Sequence, residues 1–488
     1  MAVTNQASTY DAVIVGSGPN GLAAGIRLAL EGLSVKIFEA ADTIGGGMRT
    51  SELMKTGFKH DICSAIHPVA ASSPFLKQLP LDKHGLQWVH PIHPAAHPLD
   101  GENTIIQYSD LEEMTFHLES DGNQYKEIVK PLLENWDELT RDFLGPLRYP
   151  DNPMQMASFG LKALQPASMF QTRFKLERTK ALFAGMVAHS MLPLDYWSTT
   201  AIGLVFWGTA HTGGWPMPKG GSQSLADAMA RYFKSLGGTI ETGCEIKRVQ
   251  QLPKTKAVLF DLTPLQILRI VAGDFPLEYR RKLNKFRYGP GAFKIDYILK
   301  EPVPWRDYEC RRAGTVHLGG TFNEIAEAEN RTNQGHHPDR PFVLVAQQSL
   351  FDSTRTPDDK HTLWAYCHVP NGSVTDMTEA IENQIERFAP GFKDIIDEKS
   401  TMNTADFLQY NANYIGGDIN GGKQNLGQLF KRPTNIINPY KTPAKGIYIC
   451  SSSTPPGGGV HGMCGFHAAN AVLKKEFGIK KSDWKFKY

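Results

Sequence analysis

The sequence predicts an α/β fold in which helices cover a parallel β-sheet. The first forty residues alternate strand, glycine-rich turn, helix and strand, which is the pattern of a parallel βαβ unit. Two more glycine-rich segments, in the middle and at the end of the chain, each adjoin a segment of strand length. Because the sheet would draw its strands from such distant segments, the residues between them are left for a second structural unit.

Length and composition are those of a globular protein. The 488 residues allow about two to four domains, and 41% hydrophobic with 21% charged residues is ordinary for such a chain. Lysine and arginine total 52 against 50 acidic residues, so the net charge is +2. This balance lacks the basic excess of nucleic-acid-binding proteins. The six cysteines form no CxxC pair, so neither a zinc site nor a dithiol centre is predicted.

The same features predict a cytoplasmic protein. Residues 1–9 are polar and lack the apolar core of a signal peptide. The longest apolar stretches, near 181–194 and 201–207, are shorter than the roughly 18 residues that a membrane span needs. Lysines alternate with Trp484 and Phe486 in residues 474–488, a composition suited to peripheral contact with an anionic membrane. A solvated helix end explains the same residues and is the commoner case.

The βαβ unit has the spacing of a dinucleotide site. Residues 10–15 form a predicted strand, residues 22–30 a helix, and residues 35–38 a second strand that ends on Glu39 and Ala40. The intervening turn matches GxGxxG, with the residues Gly16, Ser17, Gly18, Pro19, Asn20 and Gly21. Such glycines allow the tight turn, the approach of a diphosphate and close helix packing, and the helix N-terminus favours a phosphate. A carboxylate at Glu39 would bind a ribose hydroxyl, and the lack of an arginine there argues against NADP.

A second glycine loop follows within ten residues. Gly45, Gly46 and Gly47 precede Met48 and Arg49. Consecutive glycines let backbone amides approach a ligand, and an arginine can pair with a phosphate. This extension is typical of FAD sites rather than of plain NAD sites.

These motifs resemble those of the phytoene dehydrogenase-related FAD oxidoreductases, which are relatives of the carotenoid desaturases. Residues 214–225 (GWPMPKGGSQSL) and 446–465, with the PPGGGVHG run, extend the resemblance along the chain, nearest to a bacterial branch distinct from the true desaturases. In that family the segment 237–246 is a strand whose last residue, Ile246, presents its backbone to the adenine. Gly458, Gly459 and Val460 lie near the flavin ring.

The resemblance implies a discontinuous, Rossmann-like FAD-binding domain of the glutathione-reductase type, in residues 1–80, 214–268 and 436–488. Residues 81–213 and 269–435 would form an α+β substrate or cap domain, with helices at 125–144, 176–192 and 377–388. The predicted FAD-binding residues are Gly16, Ser17, Gly18, Pro19, Asn20, Gly21, Glu39, Ala40, Gly46, Gly47, Met48, Arg49, Ile246, Gly458, Gly459 and Val460. No metal site is predicted, because a proline follows each of His90, His93 and His97 and forbids the helix that would align them.

The implied activity is that of an FAD-dependent oxidoreductase. It would dehydrogenate (desaturate) or redox-isomerise an apolar, polyene- or terpenoid-like substrate by hydride transfer to flavin N5, with oxygen or a quinone as electron acceptor. A flavin amine or alcohol oxidase, and a non-catalytic flavoprotein that carries an apolar ligand, are the alternatives. His461 is the candidate catalytic residue, since a histidine in the flavin-facing loop can relay a proton. A histidine packed against the cofactor without acid–base work explains it as well.

Overall fold

Two extended β-sheets organise the part of the chain that the structure describes. The structure is a computed structural model and describes residues 10–101, 104–357, 359–429, 431–434 and 437–479, without the side chain of Ala272. The predicted α/β class is confirmed.

The strands and helices have the following bounds. The strands are β1 Ala12–Val15, β2 Val35–Phe38, β3 Thr50–Ser51, β4 His60–Asp61, β5 Trp88–Val89, β6 His93–His97, β7 Ile105–Gln107, β8 Met217–Pro218, β9 Thr239–Glu241, β10 Ala257–Phe260, β11 Gly291–Leu299, β12 Ala313–Leu318, β13 Val343–Ala346, β14 His361–Val369, β15 Ile396–Met402 and β16 Ile447–Ile449. The helices are α1 Pro19–Ala29, α2 Pro68–Ala71, α3 Leu111–His117, α4 Gly122–Glu134, α5 Trp136–Phe143, α6 Pro153–Ala163, α7 Ala167–Phe170, α8 Glu177–Ala188, α9 Thr199–Thr212, α10 Gln223–Ser235, α11 Pro264–Val271, α12 Leu277–Asn284, α13 Phe322–Asn333, α14 Thr378–Phe388, α15 Thr404–Tyr410, α16 Leu426–Leu429 and α17 Met463–Glu476.

The parallel sheet has the spatial order β16-β10-β1-β2-β9. Val15 at the end of β1 is in register with Phe38 of β2 and Phe260 of β10. The next residue of each strand therefore lies at the same edge of the sheet. Those residues are Gly16, Glu39 and Asp261. Ligands of open α/β sheets bind at this carboxyl edge.

Helix α1 begins at the same edge for local reasons. Pro19 occupies its first position, where the missing N–H costs nothing. Gly21 lets the helix pack against the preceding turn, since a Cβ there would lie 2.1 Å from the carbonyl oxygen of Gly16. The helix is buried between α10 and α17. Its free N–H groups consequently face the edge where β1, β2 and β10 end.

The second sheet is mixed and has the order β15-β11-β14-β13-β12-β6-β7. Strands β11 and β14 pair antiparallel over nine residues from Gly291 to Leu299. Helices α4, α6, α8 and α9 pack beside this sheet around the buried side chains of Tyr125, Phe183 and Trp207. The parallel sheet takes its strands from the segments predicted for the FAD-binding domain, and the mixed sheet from those predicted for the cap. The domain bounds themselves stay a prediction.

Two elements of the structure differ from those that the sequence predicts. The helix predicted over 125–144 is interrupted, because Asn135 has φ −126° and separates α4 from α5. The strand predicted to end at Ile246 ends at Glu241, and Ile246 lies in the following loop. Of the residues in the predicted basic tail, 480–488 lie outside the described part of the chain. Among the described residues, no helix combines the length and the apolar character needed to cross a bilayer.

Candidate active site

A large cavity lies between the carboxyl edge of the parallel sheet and the mixed sheet. Its volume is about 1180 Å³, above the roughly 300–1,000 Å³ usual for a single small-molecule pocket. One end is lined by the glycine-rich loops, and the other by apolar side chains of α6, α9 and the mixed sheet. The cavity thus has a polar backbone-lined end and an apolar end.

Most residues predicted to bind the cofactor line this cavity, although they come from four separate segments. They are Gly16, Gly18, Pro19, Asn20, Glu39, Ala40, Gly46, Gly47, Arg49, Ile246, Gly458, Gly459 and Val460. Ser17, Gly21 and Met48 do not line it. Ser17 and Met48 are fully buried, and Gly21 packs against Gly16. These three residues pack on the side of the loops that faces away from the cavity.

Glu39 is a buried carboxylate held by backbone and side-chain donors. Its Oε2 accepts hydrogen bonds from the N–H (2.9 Å) and the hydroxyl (2.6 Å) of Ser17. Its Oε1 accepts one from the N–H of Ala41 at 3.0 Å and faces the guanidinium of Arg49 at 3.3 Å. The contact with Arg49 is the longest of the four, and it joins two opposite charges.

Arg49 lines the cavity, and its predicted contact with the flavin or a phosphate stays a prediction. Besides Glu39, its Nε donates to the carbonyl of Thr43 at 3.1 Å, and its guanidinium lies 5.2 Å from the ring centroid of Tyr410. It lines the cavity with its charge offset by Glu39. In this arrangement Arg49 orients Glu39 and stacks on an aromatic ring.

Asp261 is a site residue that the sequence analysis missed. Its Oδ2 accepts a hydrogen bond from the N–H of Gly21 at 2.9 Å, at the start of α1. The side chain is buried and lines the cavity. Burial raises its pKa to about 7, the Gly21 N–H opposes this, and the charge of Glu39 adds to it. An acidic residue directly after an apolar strand was the available signal, the same one that identified Glu39.

The glycine loops leave no room for side chains. A Cβ at Gly47 would lie 2.4 Å from the hydroxyl oxygen of Tyr414, and one at Gly458 would lie 2.8 Å from Oδ1 of Asn420. Backbone atoms of both loops therefore form the cavity wall. Buried polar atoms without a hydrogen-bond partner also belong to cavity-lining residues, among them Asn20 Oδ1 and Thr263 Oγ1. Such atoms are expected where a polar ligand supplies the partner.

His461, the candidate catalytic residue, lies in the cavity wall as a neutral imidazole. Its Nδ1 accepts a hydrogen bond from the N–H of Met463 at 3.0 Å, so Nε2 carries the hydrogen. Burial lowers its pKa to about 4. A proton-relay role would need an imidazolium that this environment disfavours. The geometry favours a donor N–H at Nε2 over an acid–base group.

The apolar end of the cavity is formed by aromatic and aliphatic side chains. Trp364 and Tyr366 come from β14 and Leu344 from β13, while Phe206 and Trp215 come from α9 and the loop after it. The aromatic rings contact one another, with centroids 4.9 Å apart for Trp364–Tyr366 and 5.2 Å apart for Phe206–Trp215. This end suits an apolar molecule.

The mouth of the cavity carries exposed apolar side chains. Leu147 and Leu164 line the cavity and are nevertheless 59% and 45% exposed. On the adjoining helix α6, the exposed residues are Pro153, Met154, Ala157, Ser158 and Leu161, and none of them is charged. An uncharged outer helix face beside a cavity is unusual for a surface that meets only water.

Known proteins with similar sequences include a Rossmann-like domain family and two kinds of oxidoreductase. The family model described as an NAD(P)-binding Rossmann-like domain matches residues 14–79. The pyridine nucleotide-disulfide oxidoreductase domain-containing protein 2 of Rattus norvegicus is 23% identical over 547 residues, covering 95% of this chain and 93% of its own. A 4,4'-diapophytoene desaturase of Staphylococcus aureus strain Newman is 25% identical over 501 residues, which cover 92% of this chain and 95% of the desaturase.

Solved structures match over nearly the whole chain. An oxidoreductase from Methanosarcina mazei has a TM-score of 0.63 at 15% identity and covers 96% of this chain and 100% of its own. A putrescine oxidase variant has a TM-score of 0.62 at 15% sequence identity, and the match covers 96% of this chain and 99% of the oxidase. The cyclohexylamine oxidase of Brevibacterium oxydans has a TM-score of 0.59 at 13% sequence identity, and the match covers 97% of this chain and 100% of the oxidase. Residues 14–79 thus match a Rossmann-like domain, and the fold of the chain is similar to that of these solved oxidoreductases. Its similarity to a diapophytoene desaturase and to amine oxidases is distant, and the glutathione-reductase subtype stays a prediction.

Proposed function

We propose that the protein is an FAD-dependent oxidoreductase that dehydrogenates an apolar substrate. The observation that carries the proposal is the cavity itself, in which a backbone-lined dinucleotide end and an apolar end form one continuous space. A cofactor bound at the first end and a substrate bound at the second would meet inside it. The similarity to a desaturase and to amine oxidases supports the reaction class.

The residues at the polar end fit FAD. The N-terminus of α1 beside Gly16 and Gly18 offers N–H groups to a diphosphate, and Glu39 offers a carboxylate to the ribose hydroxyls. Ile246 would lie beside the adenine, and Gly458 to Val460 beside the flavin ring. FAD, when bound, supplies a hydride acceptor at N5 of its ring. Asp261 needs a proton when a diphosphate lies near it, and its raised pKa allows that proton at neutral pH.

At the apolar end, the chain contributes positioning and exclusion of water. Trp364, Tyr366 and Trp215 wall the space in which a C–H bond would be presented to the cofactor. Placement of a bound substrate in a dry site is a large part of catalysis in such reactions. A polyene or terpenoid substrate is part of the proposal because of the motif resemblance and the desaturase similarity, and oxygen or a quinone is the proposed electron acceptor.

Peripheral contact with a lipid surface also belongs to the proposal. The exposed apolar residues of α6 and of the loop at Leu147 border the cavity mouth, so a bilayer docked there would deliver an apolar molecule directly into the cavity. Amphipathic surfaces of this kind bind membranes through their apolar area.

The visible absorption spectrum of the purified protein tests the cofactor. Two flavin bands at about one chromophore per chain are expected, and additional polyene bands would identify the substrate class. In Glu39→Ala the bound flavin should be largely lost. Asp42→Ala, which removes an exposed carboxylate three positions away, should retain it. A colourless protein that also fails to take up added FAD would overturn the proposal, and full flavin content in Glu39→Ala would overturn the role of Glu39.

A further inference from the structure

Three tyrosines of the described residues line the cavity, and their hydroxyl groups differ in their partners. The hydroxyl of Tyr410 donates to the carbonyl oxygen of Gly46 at 2.7 Å, and that of Tyr414 is hydrogen-bonded to Cys63. The hydroxyl of Tyr366 forms no hydrogen bond within the described part of the chain, and protein atoms do not enclose it. A buried tyrosine usually has a partner for its O–H group, so Tyr366 is the exception.

The hydroxyl of Tyr366 opens onto the cavity. Tyr366 lies on β14, which has a strand on either side in the mixed sheet. Its side chain is 9% exposed and lines the cavity, so the exposed area belongs to the cavity wall. Burial raises the pKa of this hydroxyl above its ordinary value. The group therefore keeps its hydrogen at neutral pH and is a donor.

An apolar substrate changes the surroundings of this hydroxyl. In an empty cavity, water can accept the hydrogen bond of an O–H group. A molecule that fills the apolar end displaces that water, and a buried donor left without a partner costs more than an ordinary hydrogen bond contributes. A ligand oxygen beside Tyr366 would restore the bond, whereas a pure hydrocarbon would leave the donor unpaired.

The surroundings of Tyr366 favour a neutral partner. The mixed-sheet residues that line the cavity have uncharged side chains and are Thr315, Leu344, Trp364 and Tyr366. Lys294 is opposite Tyr366 in β11, but it does not line the cavity, and its ammonium group contacts Asp296. A carboxylate bound beside Tyr366 would therefore be a buried charge without a cationic partner.

We propose that the hydroxyl of Tyr366 donates a hydrogen bond to a neutral oxygen atom of the substrate. The substrate is then an oxygenated apolar molecule, such as a ketone, an aldehyde or an alcohol with a long hydrocarbon part, and not a pure hydrocarbon. Tyr366 is a specificity-determining residue in this arrangement. The inference rests on the proposed function and narrows its substrate class.

The infrared spectrum of a bound ketone tests the hydrogen bond directly. The probe is undecan-2-one, and the difference between the unlabelled and the carbonyl-13C-labelled probe separates its carbonyl band from those of the protein. We expect this band at lower wavenumber than in a dry hydrocarbon solvent, because an O–H donor weakens the C=O bond. In Tyr366→Phe the band should return towards its position in hydrocarbon. A band at the hydrocarbon position in the unaltered protein would overturn the proposal.

Two control variants accompany this measurement. Tyr297 is buried on the adjacent strand β11 and does not line the cavity, so Tyr297→Phe should leave the carbonyl band where it is. Thr315→Val removes the other hydroxyl that the mixed sheet contributes to the cavity wall, and the band should again stay. A band that responds to Thr315→Val and not to Tyr366→Phe would overturn the assignment to Tyr366.

Binding of two matched probes tests the substrate class. 2-Methylundec-1-ene has the shape of undecan-2-one, with a CH2 group in place of the carbonyl oxygen. Tryptophan fluorescence reports binding, since Trp215 and Trp364 line the cavity. Tyr366→Phe should weaken binding of the ketone about fivefold, the effect of one hydrogen bond, and should not weaken binding of the alkene. Equal losses for both probes would indicate altered packing and would overturn the donor role.

Both measurements are made on flavin-free and on flavin-loaded full-length protein, and neither needs turnover. A carbonyl band that depends on Tyr366 in a protein unable to bind FAD would support the oxygen site while the proposed function fails. A flavin-loaded protein whose carbonyl band is the same with and without the Tyr366 hydroxyl would overturn the oxygen site alone.

Discussion

Asp261→Asn tests whether the parallel sheet carries a destabilising buried charge at its carboxyl edge. In the folded protein the pKa of this carboxyl is raised from its ordinary 3.8 to about 7. The folded state consequently binds more protons than the unfolded state between these values. Stability from this group is fully present below about pH 4 and is lost as the pH rises through about 7. Asparagine keeps an acceptor for the N–H of Gly21 and has no charge to lose.

The size of the effect follows from the interval between the two pKa values. At about 1.4 kcal/mol for each pH unit, the interval from 3.8 to about 7 corresponds to about 4 kcal/mol. Asp261→Asn should therefore match the unaltered protein near pH 4 and exceed its free energy of unfolding by up to about 4 kcal/mol near pH 8. The other titratable groups are common to both proteins, and the repulsion between Glu39 and Asp261 is part of the difference that is measured.

The assay is urea-induced unfolding of flavin-free protein at several pH values between 4 and 8, followed by tryptophan fluorescence. Asp42→Asn is the control, since Asp42 is an exposed carboxylate in the neighbouring loop and its removal should give no pH-dependent difference. A difference between Asp261→Asn and the unaltered protein that stays constant from pH 4 to pH 8 would refute the reasoning. So would a variant that is less stable at pH 8.

Three further substitutions have defined outcomes. Gly21→Ala should lower the free energy of unfolding by more than about 3 kcal/mol, because the added Cβ would lie 2.1 Å from the carbonyl oxygen of Gly16; urea unfolding measures it. Arg355→Met should cost about 3–5 kcal/mol in the same assay, since Arg355 Nη1 lies 2.9 Å from Asp61 and both are fully buried. Leu161→Ser should weaken co-sedimentation with anionic lipid vesicles about tenfold, because this leucine is 74% exposed beside the cavity mouth.

Each of these substitutions has a matched control. Gly160→Ala adds a Cβ with no atom within 4 Å, and Lys282→Met breaks only the exposed pair with Glu278; both should change stability by less than about 1 kcal/mol. Leu277→Ser removes an equally apolar side chain that is 54% exposed on α12 and does not line the cavity, and vesicle binding should not change. Equal effects in a substitution and its control would contradict the explanation given for that substitution.

The sequence predicted the parts of the fold that local patterns determine. The GxGxxG turn, its flanking strands and Glu39 lie close together in the chain, so spacing alone placed them at one sheet edge. The structure confirms the strand at residues 35–38 and puts most of the predicted glycine-loop residues in one cavity. The strand predicted to end at Ile246 ends instead at Glu241, because Gly243 has a φ of +65°, outside the extended region, and the chain turns there.

The rest of the site depends on contacts between distant segments. His97, His189 and His317 come from three separate segments of the chain, and no spacing pattern in the sequence relates one of these segments to another. The proline that follows His97 excluded a helical metal site, but gave no sign that a strand would place this ring near His317. The pairing of β6 with β12 creates that proximity, and no local pattern encodes it.

The discontinuity of the parallel sheet has a consequence for synthesis of the protein. β10, the partner of β1 on one side, is synthesised some 240 residues after β1, and β16 extends that side of the sheet later still. While the ribosome is still elongating, the edge of β1 has no native partner and must be protected from other strands. The glycine loop after β16 is then the last wall of the cavity to form. A chain that stops short of this loop lacks the wall that Gly458, Gly459 and Val460 give to the cavity.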